Sequence, residues 1–445
     1  QTSGLVDKLA ARNNALKTAT PKGSAGNYYD LSTHDYKGNS TNRNTANSYL
    51  ISAPGYYKIP LVYGNAITNG TTNTSSYHTA NVSSVILSTF VDHAGVAIDN
   101  PWITQTNGGA NAPDGAKIVW ADESGLVETS SLDVEGSGTN AFVHFHVPAN
   151  KIKNGNAVIA VTKGGTVVWS WHLWFAPQEA LGTVACTNFQ NKVYKLIKED
   201  LGWKYTSWQS TSYSVPRKVK IKVEQEISNG GTKQTGEITI TQNPGNVRQG
   251  YSALYQYGRK DAFPSIDAPA EGSFTASGSG QSIPNSIQHP EIFYSVASSL
   301  FGQYNLWSMD NTTVGYTDDA VVKTVYDPCP AGFHIPTGNA FTGFTKNGEN
   351  GGPLNVSGAW ENGWNFNNKI TNPDATIYFP ASGWRSAYNG GREGDGTSGF
   401  SRTALPTVAY SWAGGCCLYF TSGGAQPKTD VFFRSFGTPV RPVAE

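Results

Sequence analysis

His144 and His146 stand two apart in an apolar run, so on a strand both imidazoles would face one side, as the first two ligands of a metal site could. A third ligand is not evident nearby. Val143, Phe145 and Val147 supply the opposite, core-facing side, so the pair reads as a solvent-facing strand and no metal is expected. His172, inside a tryptophan-rich run, and His334, inside a proline-rich one, read as packing residues. The cysteines Cys186, Cys329, Cys416 and Cys417 lack the CxxC spacing of zinc ligands. Adjacent strand residues face opposite ways, so Cys416 and Cys417 cannot both meet one partner; a bridge from Cys329 to one of them and buried free thiols are the open alternatives. Cys417 leads into Leu418-Tyr419-Phe420, which reads as a core strand and not as the setting of a nucleophile. No GxSxG elbow frames a serine, and no glycine-rich loop joins a strand to a helix to cradle phosphate. Arg392-Glu393-Gly394-Asp395-Gly396 and Asp318-Asp319 read as solvated acidic turns. The expectation is a protein with no catalytic residue, no metal and no cofactor.

Carbohydrate recognition needs less: aromatic faces for the C–H surfaces of a sugar and polar side chains for its hydroxyls. Trp360, Trp364, Trp384, Arg385 and Tyr388 are the candidate ligand-binding residues. Trp360 and Trp364, four apart amid Asn and Gly, are expected to be the exposed pair, and Trp384 to turn toward the core. Calcium-dependent sugar binding would call for Glu-Pro-Asn or Gln-Pro-Asp followed by Trp-Asn-Asp, and neither occurs; Gln426-Pro427-Lys428 departs at the third position.

The elements that must position these residues are mainly strands. Of 445 residues, only 14% are charged, and Lys+Arg and Asp+Glu both number 32, so no polybasic surface for nucleic acid or anionic lipid is expected. No apolar run approaches the roughly 20 residues that span a bilayer as a helix. The chain opens at Gln1 and has one methionine, Met309, which suggests a processed chain whose signal peptide or anchor lies upstream. Residues 3–17, with Ser3 as a possible N-cap and Leu5, Val6, Leu9, Ala10 and Leu16 at near-helical spacing, predict a short helix, followed by a linker; this N-terminal part covers residues 1–40. Strands are predicted over 48–53, 56–63, 85–91, 116–120, 141–147, 157–162 and 166–175, a β-sandwich over 41–182. Residues 217–227 and 234–242 flank Asn229-Gly230-Gly231 as a hairpin within a small β module, 183–250, with Lys218, Lys220 and Lys222 on one face and Val219, Ile221 and Val223 on the other. Residues 251–445 are rich in aromatics but poor in periodicity, and 264–290 reads as a long surface excursion.

The run Val325-Tyr326-Asp327-Pro328-Cys329-Pro330-Ala331-Gly332-Phe333-His334-Ile335-Pro336 sets three fixed φ angles and one permissive glycine among apolar anchors, which dictates a rigid backbone path. With Phe379-Pro380-Ala381-Ser382-Gly383-Trp384-Arg385 and Gly437-Thr438-Pro439-Val440-Arg441-Pro442-Val443, it resembles the Fibrobacter succinogenes major paralogous domain, a module similar to C-type lectins. Segments 46–51, 57–67 and 169–174 resemble Bacteroidales fimbrillin-like surface proteins, and Tyr255-Gln256-Tyr257-Gly258-Arg259-Lys260-Asp261 resembles what precedes the signature in them. The resemblance implies a loop-rich α+β C-type-lectin-like domain over 251–445 and a fimbrial tip or accessory subunit at the cell surface or outer membrane. Implied partners are other pilus subunits, joined by strand addition, and host or bacterial glycans or surface proteins. A surface glycan-binding lipoprotein of a polysaccharide-utilisation system is the alternative.

Overall fold

The computed structural model describes residues 8–206, 217–226, 230–242, 250–296, 304–310, 316–407, 414–429 and 432–445. Ser3, Leu5, Val6, Ile227 and Asn229 lie outside the described residues. The chain is mainly β. After a helix α1 (Lys8–Thr18) come β1 (Tyr29–Asp30), β2 (Ser48–Ile51), β3 (Gly55–Pro60), β4 (Gly115–Ala121), β5 (Asp133–Glu135), β6 (Phe142–Val147), β7 (Gly155–Lys163) and β8 (Thr166–Phe175). Next are β9 (Thr183–Thr187), β10 (Val193–Ile197), β11 (Arg217–Glu224), β12 (Thr235–Gln242), β13 (Glu271–Gly272) and a short helix α2 (Ile283–Gln288). The loop-rich remainder contributes β14 (Phe333–His334), β15 (Gly363–Asn367), β16 (Thr376–Pro380), β17 (Ser398–Thr407), β18 (Gly414–Thr421), β19 (Gly424–Thr429) and β20 (Val443–Ala444).

Two sheets face each other in sandwich-like fashion, ordered β1-β3-β6-β5 and β13-β4-β7-β8-β2. Alternation explains the first: in β6, Val143, Phe145 and Val147 are buried while Phe142, His144 and His146 stay half-exposed. The second sheet is different. β7 and β8 are buried along nearly their whole length, which suits runs that are apolar on both faces. One face of β8, with Trp169, Trp171 and Leu173, packs with Tyr57, Val143 and Phe145 of the first sheet. The other, with Val167 and Trp174 beside Trp120 and Val158, packs against Tyr255, Tyr257, Trp307, Phe333 and Ile335. The C-terminal residues thus form a third layer over the second sheet.

Two sequence expectations change here. Residues 85–91 form isolated bridges and not a strand, because the third layer engages their backbone: Asn305 donates to the Val85 carbonyl, its Oδ1 accepts from Leu87, and the Tyr326 hydroxyl accepts from Val91. The excursion 264–290 is more than a surface loop. It supplies β13, which pairs with β4 at the edge of the second sheet, and α2, with Ser282 as its N-cap.

The proline-punctuated run is the staple between layers. Its prolines remove N–H donors, and side chains from outside the run, both distant and adjoining, satisfy its carbonyls. Asn47 Nδ2 donates to the carbonyls of Val325 and Asp327 at 2.7 and 2.8 Å, Ser48 Oγ to that of Pro328 at 2.5 Å, and Lys323 Nζ to that of Pro330 at 2.9 Å. Asp327 accepts from the backbones of Cys329 and Ile335 and closes the bend. Val325 and Tyr326 enter the inter-sheet core, whereas Cys329, Phe333 and Ile335 enter the core beneath the third layer.

Buried arginines do for the loop-rich layer what ladders do for a sheet. Arg385, Arg402, Arg434 and Arg441 are each 0% exposed. Arg402 donates to the carbonyls of Gly415 and Phe433, and Arg434 to those of Gly414 and Tyr304. Arg441 joins Asp200 at 2.7 Å and the carbonyls of Ile197 and Tyr378. A guanidinium offers five donors in a rigid fork, so one side chain can hold several irregular strands of backbone.

Candidate functional site

A chain of aromatic rings runs from the interior of the third layer to its surface. Trp384 meets Phe400 edge-on at 5.2 Å, Phe400 meets Phe432 at 4.9 Å, Phe432 meets Phe436 at 5.7 Å, and Phe433 and Phe436 lie parallel at 6.0 Å. Tyr388 ends the chain, at 6.1 Å from Phe433 and 6.4 Å from Phe436, and is 66% exposed. Its loop is fixed from below. Arg385 donates to the carbonyls of Pro264, Ile266 and Gly390, pairs with Asp267 at 2.7 Å, and stacks on Phe274. Gly437 lets that arrangement close, since a Cβ there would stand 2.7 Å from the Phe293 ring and 3.3 Å from the Arg385 Cβ.

The candidate residues therefore divide. Trp384 and Tyr388 belong to this aromatic terrace, Trp384 half-buried and Tyr388 at the open end. Arg385 positions the loop and presents nothing to solvent. Trp360 and Trp364 meet edge-on at 5.4 Å but lie in a different cluster, against Phe420 and Phe366. Trp364 is only 8% exposed and donates its indole N–H to the Thr421 carbonyl, so the expected exposed pair is a lid on an apolar cluster. Phe433 and Phe436 were not among the candidates. Their signal was the aromatic spacing of Phe432-Phe433-Arg434-Ser435-Phe436, with an arginine between rings. Tyr410 and Trp412, part of the same aromatic-rich stretch, lie outside the described residues.

The second exposed feature is the ribbon made by β11 and β12. Val219 stands opposite Ile240 and Ile221 opposite Ile238, with Val223 continuing the row. These five side chains are 42–60% exposed, so one face of the ribbon is a bare aliphatic surface. The opposite face is polar and internally paired: Lys220 with Glu237 at 2.6 Å, Lys222 with Glu224 at 2.5 Å, and Lys233 with Glu224 at 2.8 Å. Among the described residues the two strands form a sheet of their own. A two-stranded hairpin is marginal in water alone, and covering one face is the usual remedy.

Several groups with catalytic chemistry are buried or paired among the described residues. Ser170, Lys260 and Asp261 meet in a cluster no more than 4% exposed, where Ser170 Oγ donates to Asp261 Oδ1 at 2.7 Å and the ammonium lies over the Trp169 ring. His172 Nε2–H donates to Asn156 Oδ1 at 2.9 Å, and its Nδ1 accepts from the Tyr255 hydroxyl at 2.9 Å. That assignment follows because the amide nitrogen of Asn156 already donates to Asp122 and the Gly202 carbonyl. Burial lowers the His172 pKa to about 3, so the ring is neutral. His144 and His146 stack on Tyr28 and Tyr56, and His146 Nδ1 meets Glu128 at 2.7 Å. The described residues contain no cluster of three metal-ligating side chains. All four cysteines are buried and none is in a disulfide, and burial pushes the Cys186 thiol up to about 12 and the Cys329 thiol well above its ordinary value. No family model, curated protein or solved structure matches this chain.

Proposed function

We propose that this chain is a non-enzymatic subunit of a cell-surface assembly, of fimbrial tip or accessory type, that docks through its ribbon and contacts a glycan or a surface protein through its aromatic terrace. The observation that carries the reading is the bare aliphatic face of Val219, Ile221, Val223, Ile238 and Ile240. Fully burying a Val or Ile is worth about 1.5–3 kcal/mol, so covering five that are half-exposed is worth about 4–7 kcal/mol before association costs. A large exposed aliphatic face of this kind marks a surface that a partner covers, as a subunit of an assembly requires. The sequence resemblance to fimbrillin-like surface proteins supports the same reading, and the staple between layers supports it mechanically, because it makes one body of the sandwich and the displayed layer.

The test replaces Val219, Ile221, Ile238 and Ile240 together by serine and follows the amount of chain in fibres sheared from expressing cells. The variant should fold and be exported, yet be lost from the fibres; equal incorporation would refute the docking role. For the terrace, a glycan array probed with the whole chain and with Tyr388→Ala should show ligands whose binding drops about tenfold in the variant, as for loss of an aromatic anchor. The glycan-capture alternative gains if glycan binding persists and no fibre contains the chain.

A further inference from the structure

A cleft of about 200 Å³ opens at the seam between the N-terminal segment and the proline-punctuated run, lined by Lys22, Tyr29, His34, Tyr36, Ser52 and Pro330 among others. Its chemistry is unlike that of the terrace. Lys22 is half-buried, its ammonium donating to Ser52 Oγ at 3.2 Å and lying 4.9 Å from the centre of the Tyr29 ring. Among the described residues it forms no ion pair with a carboxylate, and partial burial lowers its pKa. The main chain holds it there: Lys22 N–H donates to the Pro54 carbonyl, and its own carbonyl accepts from Tyr56. Gly55 makes that approach feasible, with φ +149 and a space in which a Cβ would fall 1.9 Å from the Lys22 carbonyl oxygen.

His34 offers the complementary group. Its ring stacks on Tyr29 at 4.0 Å, and Nδ1 lies 2.9 Å from the Asp30 carbonyl, which can only accept. That contact selects the tautomer with the proton on Nδ1, which leaves a lone pair on Nε2 for a hydroxyl donor. Burial raises the Tyr29 pKa to about 12, so its phenol stays a neutral donor. The acidic groups at the cleft do not replace the missing counterion. Asp35 already accepts from the backbones of Lys37 and Asn39 and from the Asn39 amide, and Glu445 is exposed at the rim beside Gly332. A space of this size is below that of drug-sized pockets and suits a single small ring.

We infer that this cleft binds one acidic sugar residue, of the uronic-acid class, with its carboxylate on Lys22 and a ring hydroxyl on His34. The carboxylate completes the lysine's coordination by a charge-assisted bond, and the hydroxyl fills the histidine's open acceptor. This inference stands apart from the ribbon and the terrace, which share no residue with the cleft.

Titration calorimetry of the whole chain with glucuronate, glucose and N-acetylaspartate separates the possibilities. Glucuronate should bind at least tenfold more tightly than either of the others, and Lys22→Met should bring glucuronate down to the level of glucose while Lys22→Arg retains part of the difference. Equal binding of glucose would overturn the role of the charge, and equal binding of N-acetylaspartate would overturn the sugar. No binding of glucuronate, or no change in Lys22→Met with an unaltered thermal midpoint, would overturn the site itself.

Discussion

Replacing Asn47 by alanine should be among the most damaging single changes in this protein, although the residue is fully buried and touches no candidate ligand site. Its side chain is 0% exposed and makes three bonds: two from Nδ2 to the carbonyls of Val325 and Asp327, and one to Oδ1 from the Trp169 indole at 3.1 Å. Alanine leaves two carbonyls and one N–H buried without partners. Each such group costs about 1–3 kcal/mol, and because the carbonyls retain a second lone-pair direction and some relaxation occurs, about 3–6 kcal/mol overall is the expected loss. With a urea dependence of about 3 kcal/mol per molar, the unfolding midpoint should fall by about 1–2 M. Tryptophan fluorescence is the natural probe, because Trp169 sits at the clamp. Asn42→Ala is the control: it is exposed, its amide bonds only Asn69, and it should change stability by less than about 0.5 kcal/mol. If Asn47→Ala shifts the midpoint no more than Asn42→Ala, the proline-punctuated run is not the staple described above.

His172 predicts a pH dependence. Its folded pKa, about 3, lies below the unfolded value of 6.5, so the unfolded chain takes up the proton first; stability from this group is full above pH 6.5 and is lost toward pH 3, by roughly 1.4 kcal/mol per unit. In His172→Asn the slope of stability against pH between 4 and 6 should be smaller by one proton, and an unchanged slope would contradict the buried neutral ring. Arg385→Met should cost about 3–5 kcal/mol by stranding the carbonyls of Pro264, Ile266 and Gly390, and hydrogen exchange should show residues 386–391 losing protection before the sheets do.

Strands whose surroundings are simple were legible in the sequence. β6 alternates because one face meets the core, and β7 and β8 run apolar because both faces do. What covers the second face of β8 was not legible, since that layer comes from residues such as Tyr255, Trp307 and Phe333, held by backbone turns with no period. Residues 85–91 read as a strand because they are rich in apolar and β-branched residues, yet their backbone hydrogen bonds are scattered over Tyr77, Thr79, Asn305 and Tyr326 and form no ladder. Site residues suffered from the same limit. An aromatic count cannot tell Trp364, whose indole reaches the Thr421 carbonyl, from Tyr388, whose ring is left outside by a loop that Arg385 pulls down. Lys22 gave no local signal at all: its distinction is that, among the described residues, it stands in a cleft without an ion-pair partner.

The most direct measurement is photo-crosslinking on intact cells, with a benzophenone side chain placed at Ile238 on the aliphatic face of the ribbon or at Lys220 on the polar one. The docking account predicts a covalent adduct with a neighbouring surface-assembly protein from position 238 and none from position 220. Adducts from both faces alike, or from neither, would contradict it.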